Sequence, residues 1–317
     1  MKIASLFPAP QPPALLQPEA TSEASPRPLQ DWLAEHRGDV EGLLLERGGI
    51  LCRGFGIGET AQFRACVDVF GRAVGDYVGG NSPRTAVGEG VYTSTEYPAH
   101  AEISVHNELS YARDWPRLLF FCCAQPSTSG GQTTLTDGRA LLASLPARIV
   151  EEFGAKGLLY VRNFHAGPLG RSWQTTYQTD DRAEAERRIR ATGAELEWLD
   201  RDTLRVTSRG PAVTRHPDTG ETVWFNQAEQ WHPSALSTEL RAVLEMSLGA
   251  DRFPHDCRFG DGSPIAEADL ALVRACQRRN YLLFDWRAGD LLLVDNVRLM
   301  HGRQPFQGPR RVLVAMA

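Results

Sequence analysis

The stretch LLLVDNVRLMHGRQPFQGPRRVLVAMA, residues 291–317, reads as an apolar strand, a turn at Asp295-Asn296, a histidine at position 301, and a second apolar strand entered through two arginines. An arginine at the mouth of an apolar strand is costly to bury unless its charge is paired. A bound carboxylate would pair it through two parallel hydrogen bonds. Side chains alternate faces along a strand, so only one of Arg310 and Arg311 can point inward. A histidine between two such strands, beside a clamp for a carboxylate, raises the question of what else converges on it.

The answer is sought in SVHNELSY, residues 104–111. His106 and Glu108 stand two apart in a segment that reads as strand over 103–109. On a strand they would share one face with Ser110, while Val105, Asn107 and Leu109 take the other. The pair alone says little. With eight histidines and 39 acidic residues in 317, about one His-x-acid pair arises by chance, and three occur: His100/Glu102, His106/Glu108 and His216/Asp218. HPDTGETVWFNQ (216–227) belongs to a hairpin signal, two β-prone runs around Pro-Asp-Thr-Gly. That places His216 and Asp218 at an exposed tip without convergent partners. An imidazole and a carboxylate side by side are two thirds of a facial triad, which holds iron(II) with two histidines and one carboxylate and leaves three positions open. His301 is the best candidate for the third ligand.

Composition is that of an ordinary globular chain, with 42% hydrophobic and 23% charged residues, enough for a sizeable core. The formal net charge is −5 and the pI about 5.9. No basic stripe marks a nucleic-acid or anionic-membrane surface. The run DRAEAERRIR (181–190) mixes its arginines with acids, as a solvated helix face does. No apolar run reaches the ~20 residues of a membrane helix, and the first twenty residues do not form a signal peptide. Six cysteines lack any CxxC spacing. Cys122 and Cys123 in RLLFFCCAQ read as buried thiols, and the expectation is a reduced, cytoplasmic protein. Oligomeric state is not legible.

Seven of the twenty prolines fall in residues 1–29. The reading is an extended or partly disordered arm over 1–30 followed by one domain over 31–317. Helical spacing predicts helices at 59–74, 137–153 (broken by Pro146), 181–192, 234–248 and 264–279, the last with Ser263 as its cap and Pro264 in its first turn. Strands are predicted at 49–53, 103–109, 117–124, 131–136, 157–162, 211–216, 221–227, 281–285, 290–295 and 311–316. Strands and helices do not alternate regularly. That disfavours a doubly wound sheet and favours a mainly β fold, an antiparallel barrel or sandwich with added helices.

Five pieces now stand in one order: HNE (106–108), GGQT (130–133), HPDTGETVWFN (216–226), GDLLLVDNVRLMHGR (289–303) and GPRRVLV (308–314), with the distal histidine 195 residues after the first. From about residue 40 onward the chain resembles the taurine dioxygenase and clavaminate synthase superfamily of iron(II)/2-oxoglutarate oxygenases. The resemblance implies a double-stranded β-helix (jelly-roll) core with iron(II), 2-oxoglutarate and O2 as cofactor and cosubstrates. It matches His106, Glu108 and His301 to the iron ligands and Thr133 to a hydroxyl that bonds 2-oxoglutarate. It matches Arg311, the second of the arginine pair, to the partner of the distal carboxylate, with Arg310 the alternative. Glu108 stands where taurine dioxygenase has aspartate, and glutamate is usual in the clavaminate-synthase-like branch. HNE, WFNQ and GPRRVLVAM look most like the syringomycin-type aspartyl β-hydroxylases of natural-product and antibiotic pathways. Ala315 stands where taurine dioxygenase has a sulfonate-binding arginine, which argues against taurine.

The implied activity is a dioxygenase hydroxylating an unactivated carbon of an amino acid or a derivative of one, free or presented by a carrier protein. Epoxidation, desaturation and cyclisation would use the same cofactors, whereas a zinc hydrolase or a non-catalytic metal-binding barrel would need no carboxylate clamp. Candidate substrate contacts are Asn107, Trp224, Asn226 and Arg303. Tyr92, Ser94 and Glu96 alternate just upstream of the proposed metal strand, and His100 and Glu102 complete the polar residues considered.

Overall fold

The computed structural model describes residues 1–19, 27–71, 80, 84–94, 97–165 and 171–317. Two sheets face each other. The larger orders its eight strands Lys2–Ser5, Ala14–Gln17, Gly49–Cys52, Leu291–Asp295, Leu118–Gln125, Arg311–Met316, Val91–Thr93 and Ala86–Gly88. Its pairings are antiparallel except that of Ala14–Gln17 with Gly49–Cys52. The smaller is antiparallel throughout, in the order Leu282–Phe284, Thr133–Asp137, Leu299–Arg303, Ile103–His106.

Period-2 alternation explains why the central strands are apolar on both faces. Phe121, Cys123, Leu292, Val294, Val312 and Val314 meet Leu135, Phe284 and Leu299 of the smaller sheet. Their sequence neighbours Phe120, Cys122, Leu291, Leu293, Leu313 and Ala315 face outward and are covered by Leu33, Leu44, Phe63 and Val67, from helices Leu29–Glu35, Arg37–Arg47 and Thr60–Asp68. Each fully buried Leu or Phe stabilises the fold by about 1.5–3 kcal/mol. A third sheet, Glu195–Trp198, Leu204–Gly210, Leu158–Phe164 and His255–Phe259, lies outside the smaller one. There Val105 and Met300 join Tyr160, Cys257 and Phe259 in one core. Val105 and Met300 face out, so the next residue of each strand, His106 and His301, faces in. The result is a jelly-roll with helices on its outer faces, mainly β as the sequence implies.

Several local expectations are revised. The proline-rich start supplies two strands at the edge of the larger sheet, with Ala14 and Leu16 buried. Pro146 does separate two helices, Gly138–Ser144 and Ala147–Lys156, because the residue before a proline is driven out of the helical region and Leu145 is extended. The helix expected from 264 begins at Glu267 with Ala266 at its cap. Ser263 bonds Asp261 instead. The helix expected over 59–74 is Thr60–Asp68 within the described residues. His216 is buried, not at an exposed tip: its Nε2–H donates to Asp295 at 2.7 Å while Nδ1 accepts the backbone N–H groups of Asp218 and Thr219. All six cysteines are buried and free. Among the described residues, no helix is long and apolar enough to cross a membrane.

Candidate metal centre

His106 and His301 are paired opposite each other on adjacent antiparallel strands, with ring centroids 4.4 Å apart. Glu108 reaches them by a different route from the one the sequence suggested. The strand ends at His106, and residues 107–110 turn sharply, with Leu109 at φ 56°. A left-handed leucine is strained, and such strain persists where surrounding bonds impose it. Asn296, wholly buried, imposes it here. Its Oδ1 accepts from the Glu108 N–H at 2.7 Å, and its Nδ2 donates to the carbonyls of Glu108 and Pro116. Asn107 Nδ2 donates to the Asn296 carbonyl at 2.6 Å.

One ligand atom from each of His106, Glu108 and His301 lies within 4.8 Å of the other two, and all three residues are buried. Atoms bound at about 2.1 Å to one ion lie within about 4.2 Å of each other, so sub-ångström adjustments close the set. The donor chemistry also fits a divalent metal. The Ser104 carbonyl accepts at 2.9 Å from His106 Nδ1, so that nitrogen carries the proton and Nε2 presents a lone pair. Burial lowers the pKa of both histidines and keeps them neutral. Burial would raise the Glu108 carboxyl, but the charge of Arg84 beside it holds it below the ordinary carboxylate range. Arg84 Nη2 donates to Glu108 Oε2 at 2.6 Å, both side chains being almost wholly buried.

Beside the three residues lies a cavity of about 40 Å³, lined by Arg84, Ser94, Phe121, Thr133, Arg303, Arg310, Val312 and Val314. The arginine pair needs correction: Arg310 lines this cavity, while Arg311 is exposed. Val312 and Val314 fix the inward parity, and Arg310 shares it despite the register shift between Arg311 and Val312. Burial, with the like charge of Arg303, lowers the Arg310 guanidinium to about 10. Arg310 Nε donates to the Gly131 carbonyl at 3.3 Å. Gly131 itself has φ +70°, and a Cβ there would press on Arg310 Cδ at 3.2 Å, so glycine suits the GGQT turn on both counts. Thr133 is buried in the cavity wall, and its hydroxyl oxygen accepts from Trp286 Nε1 at 2.9 Å. Its proton is thereby aimed elsewhere.

The other candidates divide. Arg303 lines the cavity but spends its guanidinium on the carbonyls of Tyr97, Pro98 and Ala101. Three further expectations are corrected. Trp224 is a core residue, fully buried against Phe153. Asn226 donates to the Ala212 carbonyl and accepts from the Ala228 N–H. Neither lines the cavity, and Asn107 is taken up by its bond to Asn296. Tyr92 belongs to the inner core. His100 and Glu102 are exposed, and Glu96 lies outside the described residues. Arg84, Asn296, Trp286 and Phe121 were not anticipated. The VDN triplet carried a signal for Asn296, a polar pair directly after a buried strand. Arg84 carried none.

The profile of the taurine catabolism dioxygenase TauD, TfdA family matches residues 10–316. The dapdiamide synthesis protein DdaC of Enterobacter agglomerans is 35% identical over 94% of this chain and 88% of its own length. A clavaminate synthase-like protein of Arabidopsis thaliana is 31% identical over 96% and 93%. Among solved structures, PvcB of Pseudomonas aeruginosa, described as an Fe, alpha-ketoglutarate dependent oxygenase from an isonitrile synthetic pathway, superposes with TM-scores of 0.54 and 0.51 in two structures. It is 18% and 19% identical, with 96% of this chain and 84% of that one covered.

Proposed function

Since this chain belongs to the TauD, TfdA family of dioxygenases, we propose that it hydroxylates an unactivated carbon of an amino acid or an amino-acid-derived small molecule in natural-product biosynthesis. It is an oxidoreductase of the iron(II)- and 2-oxoglutarate-dependent class, and its substrate is a small molecule. The supporting observation is the buried cluster of two neutral imidazoles and one ionised carboxylate beside an inward-facing arginine. The relationship to a dapdiamide synthesis protein supports the natural-product setting.

In this reading His106, Glu108 and His301 hold the metal, and Arg310 with Thr133 holds 2-oxoglutarate. Bound iron, with 2-oxoglutarate and O2, supplies the oxidising power to insert oxygen into a C–H bond as the cosubstrate is decarboxylated to succinate. The chain's own part is placement and shielding. Ser104 fixes the His106 tautomer, and Asn296 pins the turn that aims Glu108. Trp286 occupies the acceptor side of the Thr133 hydroxyl, leaving its proton for a carboxylate. Arg310 offers the distal carboxylate a two-pronged bond in a mostly apolar wall of Phe121, Val312 and Val314, where a charge-assisted pair is strong. A carrier protein presenting the substrate is a further element of the proposal. It is tested separately, by comparing free and carrier-bound amino acids.

The decisive experiment incubates the protein under air with iron(II), 2-oxoglutarate and a panel of amino acids, reading succinate and a product 16 mass units heavier. Substrate-dependent succinate with that product is the expected result. Succinate formation indifferent to every member of the panel, free or carrier-bound, would refute the amino-acid assignment.

A further inference from the structure

One carboxylate oxygen has two claims on it. Glu108 Oε2 lies 2.6 Å from Arg84 Nη2 and 3.8 Å from His301 Nε2. The second distance is that between two ligands of one ion, so the seat for a metal is between Oε2 and His301. An ion there would share the oxygen with a guanidinium. Two cations meeting on one atom in a buried, weakly screening site repel strongly. Space points the same way. The cavity that Arg84 helps to line has about 40 Å³, room for a water or two and not for a five-carbon dicarboxylate. Arg84 also leads into Ala86–Gly88, a three-residue strand that among the described residues ends the larger sheet and pairs with Val91–Thr93, the kind of short edge element that opens locally at low free energy.

We propose that Arg84 is a placeholder cation that Glu108 exchanges for the metal, and that its departure opens the cavity to the cosubstrate. The inference rests on the reading of His106, Glu108 and His301 as metal ligands. Without metal, Arg84 occupies the carboxylate oxygen and holds it aimed. With metal, the carboxylate changes partner, the guanidinium withdraws, and the space it bounded enlarges. The order of loading, metal before 2-oxoglutarate, is then enforced by a side chain as well as by chelation.

The test is calorimetric titration of Mn(II) into the metal-stripped full chain. Arg84→Met should bind Mn(II) more tightly than the unaltered protein, by roughly 5- to 150-fold, the usual range for two sites coupled through one group. Arg84→Lys, which keeps the charge, should return towards the unaltered affinity. In the unaltered chain, which avoids any question of misfolding, Mn(II) should speed hydrogen exchange across residues 84–94. Equal or weaker Mn(II) binding by Arg84→Met, or exchange that slows or stays the same, overturns the proposal. His301→Ala separates the two layers of argument. If it binds Mn(II) as well as the unaltered chain, the ligand reading fails and this inference with it. If it loses Mn(II) while Arg84→Met is no tighter, only the placeholder role fails.

Discussion

Arg310 and Arg311 differ by one position in sequence and by a whole face of the sheet in space. Arg310→Ala is expected to weaken 2-oxoglutarate binding by about 2–5 kcal/mol, the cost of leaving a carboxylate without its charged partner, or roughly 30- to several-thousand-fold. Arg311→Ala should change it by less than about twofold, as surface substitutions do. Equilibrium titration of the metal-loaded protein under nitrogen distinguishes the two, and a loss confined to Arg311→Ala would return the clamp to the exposed face. Thr133 gives a finer measure. Trp286→Phe removes the donor to its hydroxyl, a bond worth about 0.5–1.5 kcal/mol, so the KM for 2-oxoglutarate should rise several-fold with kcat little changed. An unchanged KM would mean that the Trp286 bond does not orient the hydroxyl.

At the scale of the element, the strand Leu299–Arg303 shows how backbone proximity serves the centre. A Cβ on Gly302 would meet the Ile103 carbonyl at 2.5 Å and the Val105 nitrogen at 3.1 Å. Gly302→Ala must therefore push this strand off Ile103–His106 and spread the His106–His301 pair. Overpacking of this kind typically costs about 1–3 kcal/mol. Chemical denaturation should show that loss together with weaker Mn(II) binding. Loss of stability with unaltered Mn(II) affinity would show that the strand relaxes without disturbing the histidines. The strand His255–Phe259 carries a pH response. Burial lowers His255 to about 3, so the unfolded chain takes up a proton near pH 6.5 that the folded chain refuses. Its contribution is present above pH 6.5 and is lost as pH falls towards 3, about 2 kcal/mol by pH 5. His255→Phe, which can keep the edge contact with Trp231, should flatten urea stability between pH 6.5 and 5 by that amount. A slope as steep as before would assign the proton uptake to other groups.

The same element scale shows what the sequence made legible. Leu118–Gln125 and Leu291–Asp295 were readable because burial on both faces leaves an unbroken apolar run. Leu204–Gly210 and His255–Phe259 were missed because each has only two buried apolar residues, Leu204 and Val206 in one and Cys257 and Phe259 in the other, too few among arginines and polar residues to mark a strand. Leu299–Arg303 was missed because its inward residues are chosen for a site, His301 and Arg303 with Gly302 between, and not for a core. Helix Arg37–Arg47 was hidden by Gly38 and Gly42, which lower its propensity. The triad was named from residue types and family order. The approach of Glu108 was misread because a turn held by Asn296, 188 residues away, replaces the strand that local sequence predicts. Arg84 was invisible for the same reason: its partner lies across the fold.

For the whole molecule, sheet order and chain order are interleaved. Leu291–Asp295 is inserted between Gly49–Cys52 and Leu118–Gln125, and Arg311–Met316 between Leu118–Gln125 and Val91–Thr93. A polypeptide emerging from the ribosome in sequence, at about 5–20 residues per second, thus makes three apolar strands long before the two that belong between them. Each waits with open edges, and such pairing over long separations is slow as well as adhesive. Ribosome-arrested chains stopped before residue 291 should be readily digested by protease and captured by chaperones, while released full-length chains resist both. Protease resistance in the arrested chains would mean that the early strands pair provisionally with one another. The weave that brings His301 to His106 is closed by residues 291–317, so the two histidines cannot face each other until those last-made strands are in place.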